Sequence, residues 1–231
     1  MLMKGIDPVP VELNAREFLQ FPGVRALKGQ DVSQLMEKSR QLIEPKAVFE
    51  LANVAGICGD RVRLETGHTL RSIVLADMLE HGQKVAPYVV TIGPRLERQA
   101  SEEAKGSILR SWMLDKVGDY ALEKASAYLK SRVGEALKGG VSVFSPGSGT
   151  GKLFGIDQQK VIFQILNPSE SIGVSLTPGC MMVPRKSLSG VLAVTGREYI
   201  ACQYCPRERC DNRRKPFSGE YYPLGCEAKA D

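Results

Sequence analysis

Histidine is nearly absent: His68 and His81 are the only two in 231 residues. Each stands beside an acid or a glycine near an expected helix end, with no partner that suggests a catalytic triad or an imidazole metal site, so surface or capping roles are expected. Long apolar runs are also lacking. Nowhere does the chain offer the ~18 uninterrupted apolar residues of a membrane span, and its opening, MLMKGIDPVPVELNAREF, has no apolar core of the signal-peptide kind. A cytoplasmic protein without a membrane span is expected. Charge of one sign is sparse too: the net +5 comes from 31 basic and 26 acidic residues, mostly interspersed, which argues against a nucleic-acid partner. No internal repeat, low-complexity tract, serine-hydrolase, metallohydrolase or dinucleotide fingerprint is present.

What is there suffices for a real core, with 43% hydrophobic residues. NAREFLQF and DVSQLMEKSRQLI space apolar residues three and four apart and read as helices, the second capped by Asp31 and stopped by Pro45. KAVFELANVAGI and RVRLET read as strands around a turn at Gly59-Asp60, TLRSIVLADMLEHG as a helix closed by Gly82, and YVVTIG as an apolar strand. The longest periodic segment predicts a core helix from near Ile108 to Leu137, with Leu109, Met113, Val117, Tyr120, Ala121, Tyr128 and Leu129 on its buried face, ended by Gly139-Gly140. VSVF then reads as a strand, DQQKVIFQIL as a helix with Asp157 as cap, and SIGVSLT and SLSGVLAVT as strands flanking PGCMMVPRK. This irregular order predicts an α+β fold with a largely antiparallel sheet over residues 1–195, followed by a Cys-rich tail over 196–231.

The stretch SPGSGTGKLFG, residues 145–155, invites comparison with a phosphate-gripping P-loop. That loop needs G-x-x-x-x-G-K-[ST], since backbone N–H groups, the lysine and the hydroxyl divide the phosphates and Mg²⁺ between them. Counting back from Gly151-Lys152, the first glycine is replaced by Pro146, which has no N–H, and the hydroxyl residue by Leu153. Nucleotide triphosphate binding is not expected.

Ser145-Pro146-Gly147, the helix around Gln158 to Leu166, Thr177, Met181-Met182-Val183-Pro184 and Ser187-Leu188-Ser189-Gly190 follow one another in an order that resembles the activation domain of cobalamin-dependent methionine synthase. The likeness is closer still to free-standing activation-domain-like proteins of anaerobic bacteria. VVTIGPRLERQ and MLDKVGDYALEKA are compatible with that family's strand and long helix, so the resemblance spans about residues 14–195, with its specific part in 141–195. It implies a long helix packed on the sheet, binding of S-adenosylmethionine, and docking on a corrinoid protein whose cobalamin is remethylated after oxidation. The family's Arg-Pro-Ala-Pro-Gly-Tyr motif departs here: Val143 stands at the arginine position and Ser148 at the tyrosine position. What remains is a backbone pocket at Pro146, Gly147 and Gly149, with Ser145 and Ser148 as hydroxyl donors and Thr177, Cys180 and Met181 as further candidate contacts. For Cys180 two roles stay open, soft sulfur for a ligand or buried core sulfur.

The cysteines are not spread like a disulfide framework. Cys58 and Cys180 stand alone, whereas Cys202, Cys205, Cys210 and Cys226 crowd the end of the chain. CQYCPRERC can bring thiolates onto one point, with Cys226 as a fourth ligand, and zinc or an iron–sulfur cluster would suit them. Arg207, Arg209, Arg213 and Arg214 are expected to favour the thiolates and partly neutralise an anionic cluster. The methionine synthase domain does not carry this tail. Three roles follow as expectations: an accessory that supports reductive or methylating reactivation of a corrinoid protein, a corrinoid-protein binding module with structural zinc, or an S-adenosylmethionine-binding methyl donor. Asp115, Asp119 and Glu123, four apart on the long helix, are expected to form a solvated stripe eased by Lys116 and Lys124.

Overall fold

The computed structural model describes residues 4–24, 32–149, 151–210, 213–219 and 221. Strand β1 (Lys4–Pro8) precedes helices α1 (Ala15–Phe18) and α2 (Val32–Arg40). Strands β2 (Lys46–Glu50), β3 (Ala52–Cys58), β4 (Arg61–Leu64) and β5 (Thr69–Arg71) follow, then α3 (Ile73–Met78), β6 (Lys84–Thr91), α4 (Arg95–Glu103) and α5 (Ile108–Leu137). The last part contains β7 (Val141–Phe144), α6 (Gln159–Leu166), α7 (Pro168–Ser171), a short hairpin of β8 (Ser175–Leu176) and β9 (Met182–Val183), and β10 (Ser187–Val194).

Eight strands form one sheet, every ladder of which is antiparallel. β6 is its spine. One edge of β6 pairs along its length with β10, which in turn pairs with β7; the other edge is shared by β2 and β3. The burial pattern explains the placement, since β2, β6 and β10 are buried on both faces whereas β4 and β5 alternate buried with exposed. Two cores result, one on each face of the sheet. Helix α5 covers the first, with Val117, Ala121, Ala125 and Leu129 against Val90, Ala86 and Leu192. Helices α3 and α6 cover the second, with Leu75, Ile162 and Leu166 against Val89, Val191 and Phe144.

The expected α+β class, the antiparallel sheet and the central helix from Ile108 to Leu137 are observed. Four local expectations are corrected. Thr69–Arg71 is strand, not helix, because its register with Arg61–Arg63 pairs the backbone while Ser72 caps α3 by accepting from Leu75 N at 3.2 Å. Leu109 is 49% exposed, since the first turn of α5 overhangs the sheet and burial begins at Met113. That helix ends at Lys138, itself in the left-handed conformation at φ 58°, ahead of the glycines. Asp157 lies inside a 3₁₀ turn, Ile156–Gln158, and accepts from the Gln158 side chain instead of capping α6. Asp31 lies outside the described residues.

The acid stripe is more than a solvated face. Lys186, 12% exposed, reaches Asp115 at 2.9 Å and Asp119 at 2.5 Å, tying the start of β10 to α5. Lys116 adds a contact to Asp119 at 3.3 Å, while Lys124 turns to Glu17 and Glu123 stays exposed.

Candidate ligand site

β7 ends at Phe144 on the sheet edge, and Ser145–Gly149 turns out of it. The turn is closed by Ser148 N donating to Ser145 O at 3.1 Å and Gly147 N donating to Phe154 O at 2.8 Å. Gly147 is required here: its φ is +76°, and a Cβ would meet Ile156 Cδ1 at 2.6 Å. Downstream, Leu153 is core rather than phosphate cradle, 8% exposed, with its carbonyl accepting from Ser72 Oγ at 3.0 Å. Ser145 and Ser148 are half-buried, Pro146 is buried, and Gly147 and Gly149 are exposed, so backbone and hydroxyls face a shallow surface.

Tyr88, which sequence reasoning passed over, supports the loop from below. It is 2% exposed and lies opposite Gly190 in the β6–β10 ladder. Burial pushes its phenol up to about 12, while the neighbouring Ser145 hydroxyl and the positive charge of Arg214 pull partly back. Its only sequence signal was a tyrosine in an otherwise apolar strand.

Thr177, Cys180 and Met181 are brought together, but in the β8–β9 hairpin. Thr177 N donates to Met181 O at 2.9 Å, and Met181 N to Thr177 Oγ1 at 3.1 Å. Cys180 is 8% exposed, as core sulfur, and Met181 is 55% exposed. Among the described residues no hydrogen bond or ion pair joins this hairpin to the Ser145–Gly149 loop.

The chain after residue 195 packs back on the loop. Tyr199 stacks on Phe144 at 4.9 Å and Tyr204 on Tyr199 at 5.9 Å, with Tyr221 edge-on to Tyr204 at 4.8 Å. Burial raises the Tyr199 phenol to about 12, helped by Tyr204 and Cys202. Tyr221 and Arg197 both hydrogen-bond Asp77, whose side chain is 6% exposed, and burial followed by the Asp77 bond raises the Tyr221 phenol. The Ala201 carbonyl lies 3.5 Å from where a Cβ on Gly149 would sit. These aromatic contacts have no helical or strand period, so only the density of tyrosines near the end of the chain could have signalled them.

Cys202, Cys205 and Cys210 are free, half-buried thiols on a loop knotted by Arg213. The Arg213 guanidinium donates to the carbonyls of Cys202 at 2.9 Å and Cys205 at 3.2 Å, and to that of Arg207. Arg214 N–H points at Cys202 Sγ, 3.5 Å away. Arg213 therefore acts on backbone, not on sulfur. Among the described residues no three Cys, His, Asp or Glu side chains gather as a metal site, and Cys226 lies outside those residues. His68 makes a local contact, Nδ1 to Thr66 Oγ1 at 3.1 Å, and His81 is exposed. No helix among the described residues is long and apolar enough to cross a membrane.

No family profile and no curated relative matches the sequence. Among solved structures, the chain is similar to the MetH reactivation domain bound to AdoHcy, with a TM-score of 0.67 at 16% identity, over 87% of this chain and 80% of that one. The two share a fold.

Proposed function

We propose that this protein binds an S-adenosylmethionine-type ligand at the Ser145–Gly149 loop and acts as an accessory in the reductive or methylating reactivation of a corrinoid protein, the cobalamin being carried by that partner. The observation that carries the reading is the shared fold with a domain solved with S-adenosylhomocysteine, combined with a Ser-Pro-Gly loop at the sheet edge that closes on its own backbone and exposes Gly147. Such a ligand supplies a methyl group on a sulfonium. The chain's part is to bind and orient it: Ser145 and Ser148 offer hydroxyls, and Gly147 and Gly149 let the backbone approach closely. Thr177 and Met181 lie on another hairpin and are proposed as contacts for the partner rather than for this loop, while Cys180 is buried beneath them.

The cysteines are a separate part of the proposal. Cys202, Cys205 and Cys210, with Cys226, remain candidates for zinc or an iron–sulfur cluster, since the three described thiols are free and share one loop. The fit is incomplete, because these three do not converge, so no chemical step is routed through a metal. The way Arg213 braces this loop favours the second reading, a corrinoid-protein binding module whose tail is structural.

Calorimetric titration of the anaerobically prepared chain with S-adenosylhomocysteine tests the loop. Measurable binding that Gly147→Val abolishes is expected; no binding refutes the reading. Metal analysis and a visible spectrum of the same preparation separate the readings of the tail. Iron with a brown colour supports electron delivery, stoichiometric zinc supports the structural module, and neither metal removes the metal proposal.

A further inference from the structure

We propose that the cleft between α2, α4 and α5 is a second ligand site, built for an organic anion with a carboxylate or phosphate head on an apolar body. The inference is independent of the reading of the Ser145–Gly149 loop, none of whose residues lines this cleft.

The cleft has a volume of about 500 Å³, within the range of small-molecule sites. Each helix lends it one stripe. On α4, Arg95, Gln99 and Glu103 stand four apart, beside the Leu96 and Ala100 that this helix buries in the core. Leu35 and Lys38 of α2, with Leu42 just past its end, form the facing side. From α5 come Arg110, Met113 and Leu114. Met113 and Leu114 are 6% and 5% exposed, so the floor of the cleft is the first core itself. Leu35 and Leu42 pack half-buried on that core and widen the apolar surface, which gains when an apolar group covers it.

The charges do not balance. Lys38, Arg95 and Arg110 line the cleft against one acid, Glu103. Arg95 is answered by Glu44 at 3.1 Å, and Glu103 accepts from Gln99 Nε2 at 3.2 Å. The side chains of Lys38 and Arg110, from two different helices, make no hydrogen bond or ion pair among the described residues. An anion entering the cleft therefore meets two open cations above an apolar floor. Both cations are exposed, so each contact is screened and neither holds a bare anion firmly. The apolar floor supplies the rest, and only a ligand carrying both features uses the whole cleft.

The test titrates the full chain, with isotope-labelled methionine methyl groups, and follows their NMR shifts. The probes are octanoate, octyl phosphate, octanol and inorganic phosphate, each below any micelle-forming concentration. Expected is a saturable shift of Met113 with octanoate or octyl phosphate, the tighter of the two identifying the head, while Met181, outside the cleft, stays still. Octanol and inorganic phosphate should bind at least tenfold more weakly, the size of one charge-assisted contact or of a short buried chain. Lys38→Glu and Arg110→Glu, both at exposed positions, should each weaken the better anion about tenfold and leave octanol unchanged. The inference is overturned if neither anion moves Met113, if octanol binds as well as the anions, or if both variants bind like wild type. S-Adenosylhomocysteine titrated into the same variants should behave as in wild type; weakened binding there would make the cleft part of the loop site and overturn the inference as well. Failure of wild-type protein to bind S-adenosylhomocysteine touches only the loop reading.

Discussion

Gly190→Ala is expected to unfold this protein far more readily than a one-methyl change usually does. Gly190 sits in β10 between Tyr88 of β6 and the end of β7, and a Cβ there would lie 2.5 Å from the Phe144 carbonyl oxygen and 3.0 and 3.1 Å from Tyr88 Cε1 and OH. The carbonyl belongs to a ladder strand and the ring is 2% exposed, so neither neighbour can swing away. Overpacking of this kind costs ~1–3 kcal/mol, and the rigidity of both neighbours argues for the upper end. Against this stands ~0.5–1 kcal/mol gained because alanine restricts the unfolded chain. The net is about 2 kcal/mol of destabilisation. With a urea slope of ~3 kcal/mol/M, toward the upper end for a chain of this size, the unfolding midpoint should fall by about 0.7 M.

The mechanism is separable by a double-mutant cycle with Tyr88→Leu. Removing the ring relieves its share of the clash but leaves the carbonyl, so the Gly190→Ala penalty should shrink by ~1 kcal/mol in that background. A Gly190→Ala midpoint within ~0.2 M of wild type would refute the argument that the strand needs glycine for close approach, because the overpacking term alone is several times larger.

Two further outcomes follow from buried polar groups. Tyr88 and Tyr199 have folded-state phenols raised to about 12 from an ordinary value near 10, both chiefly by burial. A raised pKa means that the stabilisation is fully present below the unfolded value and is lost as pH climbs through the folded one. Stability should therefore decline between pH ~10 and ~12, by ~3 kcal/mol per tyrosine at the upper limit; Tyr199→Phe should flatten that decline in urea titrations, and an unchanged alkaline limb would contradict it. Asp77→Ala should strip Tyr221 and Arg197 of their shared acceptor, leaving a cation half-buried and uncompensated at a cost of ~3 kcal/mol to tail docking. Limited proteolysis between residues 196 and 221 should then be faster than in wild type, and equal rates would show that the aromatic stack alone seats the tail.

The fold was readable where local chemistry and tertiary need agree. α5 spans Ile108–Leu137, where its periodicity places it, because thirty residues of one pattern outvote any single position. β6 and β10 read as strands for the same reason, being β-branched and apolar on both faces. Thr69–Arg71 did not, since Leu70, Ile73 and Val74 satisfy a helical spacing just as well and only the pairing with β4 decides. α4 left almost no trace, burying only Leu96 and Ala100 one turn apart on an otherwise charged segment. The candidate loop was legible as an element and as a departure from the P-loop. Its surroundings were not: Tyr88 lies across the ladder from Gly190, and Tyr199 stacks on Phe144 from more than fifty residues downstream, a kind of proximity that no sequence period encodes.

That distance in sequence bears on how the site can be controlled. The loop itself stands at the end of the β7–β10–β6 ladder, with α5 and α6 packed on opposite faces of the sheet. Its outer wall is different in kind. The tail meets the loop through ring stacking, one carbonyl contact and the Asp77 cluster, and its Cys loop is shaped by the single guanidinium of Arg213. Contacts of this sort give local opening free energies well below that of the central sheet. A change at the thiols, whether oxidation or metal binding, acts directly on the Cys202 turn to which the Arg214 backbone is bonded. The Ser145–Gly149 loop and the cysteines meet at one turn, through the Ala201 carbonyl beside Gly149, so oxidation of the thiols should shift the backbone around Gly149 without disturbing the sheet that carries it.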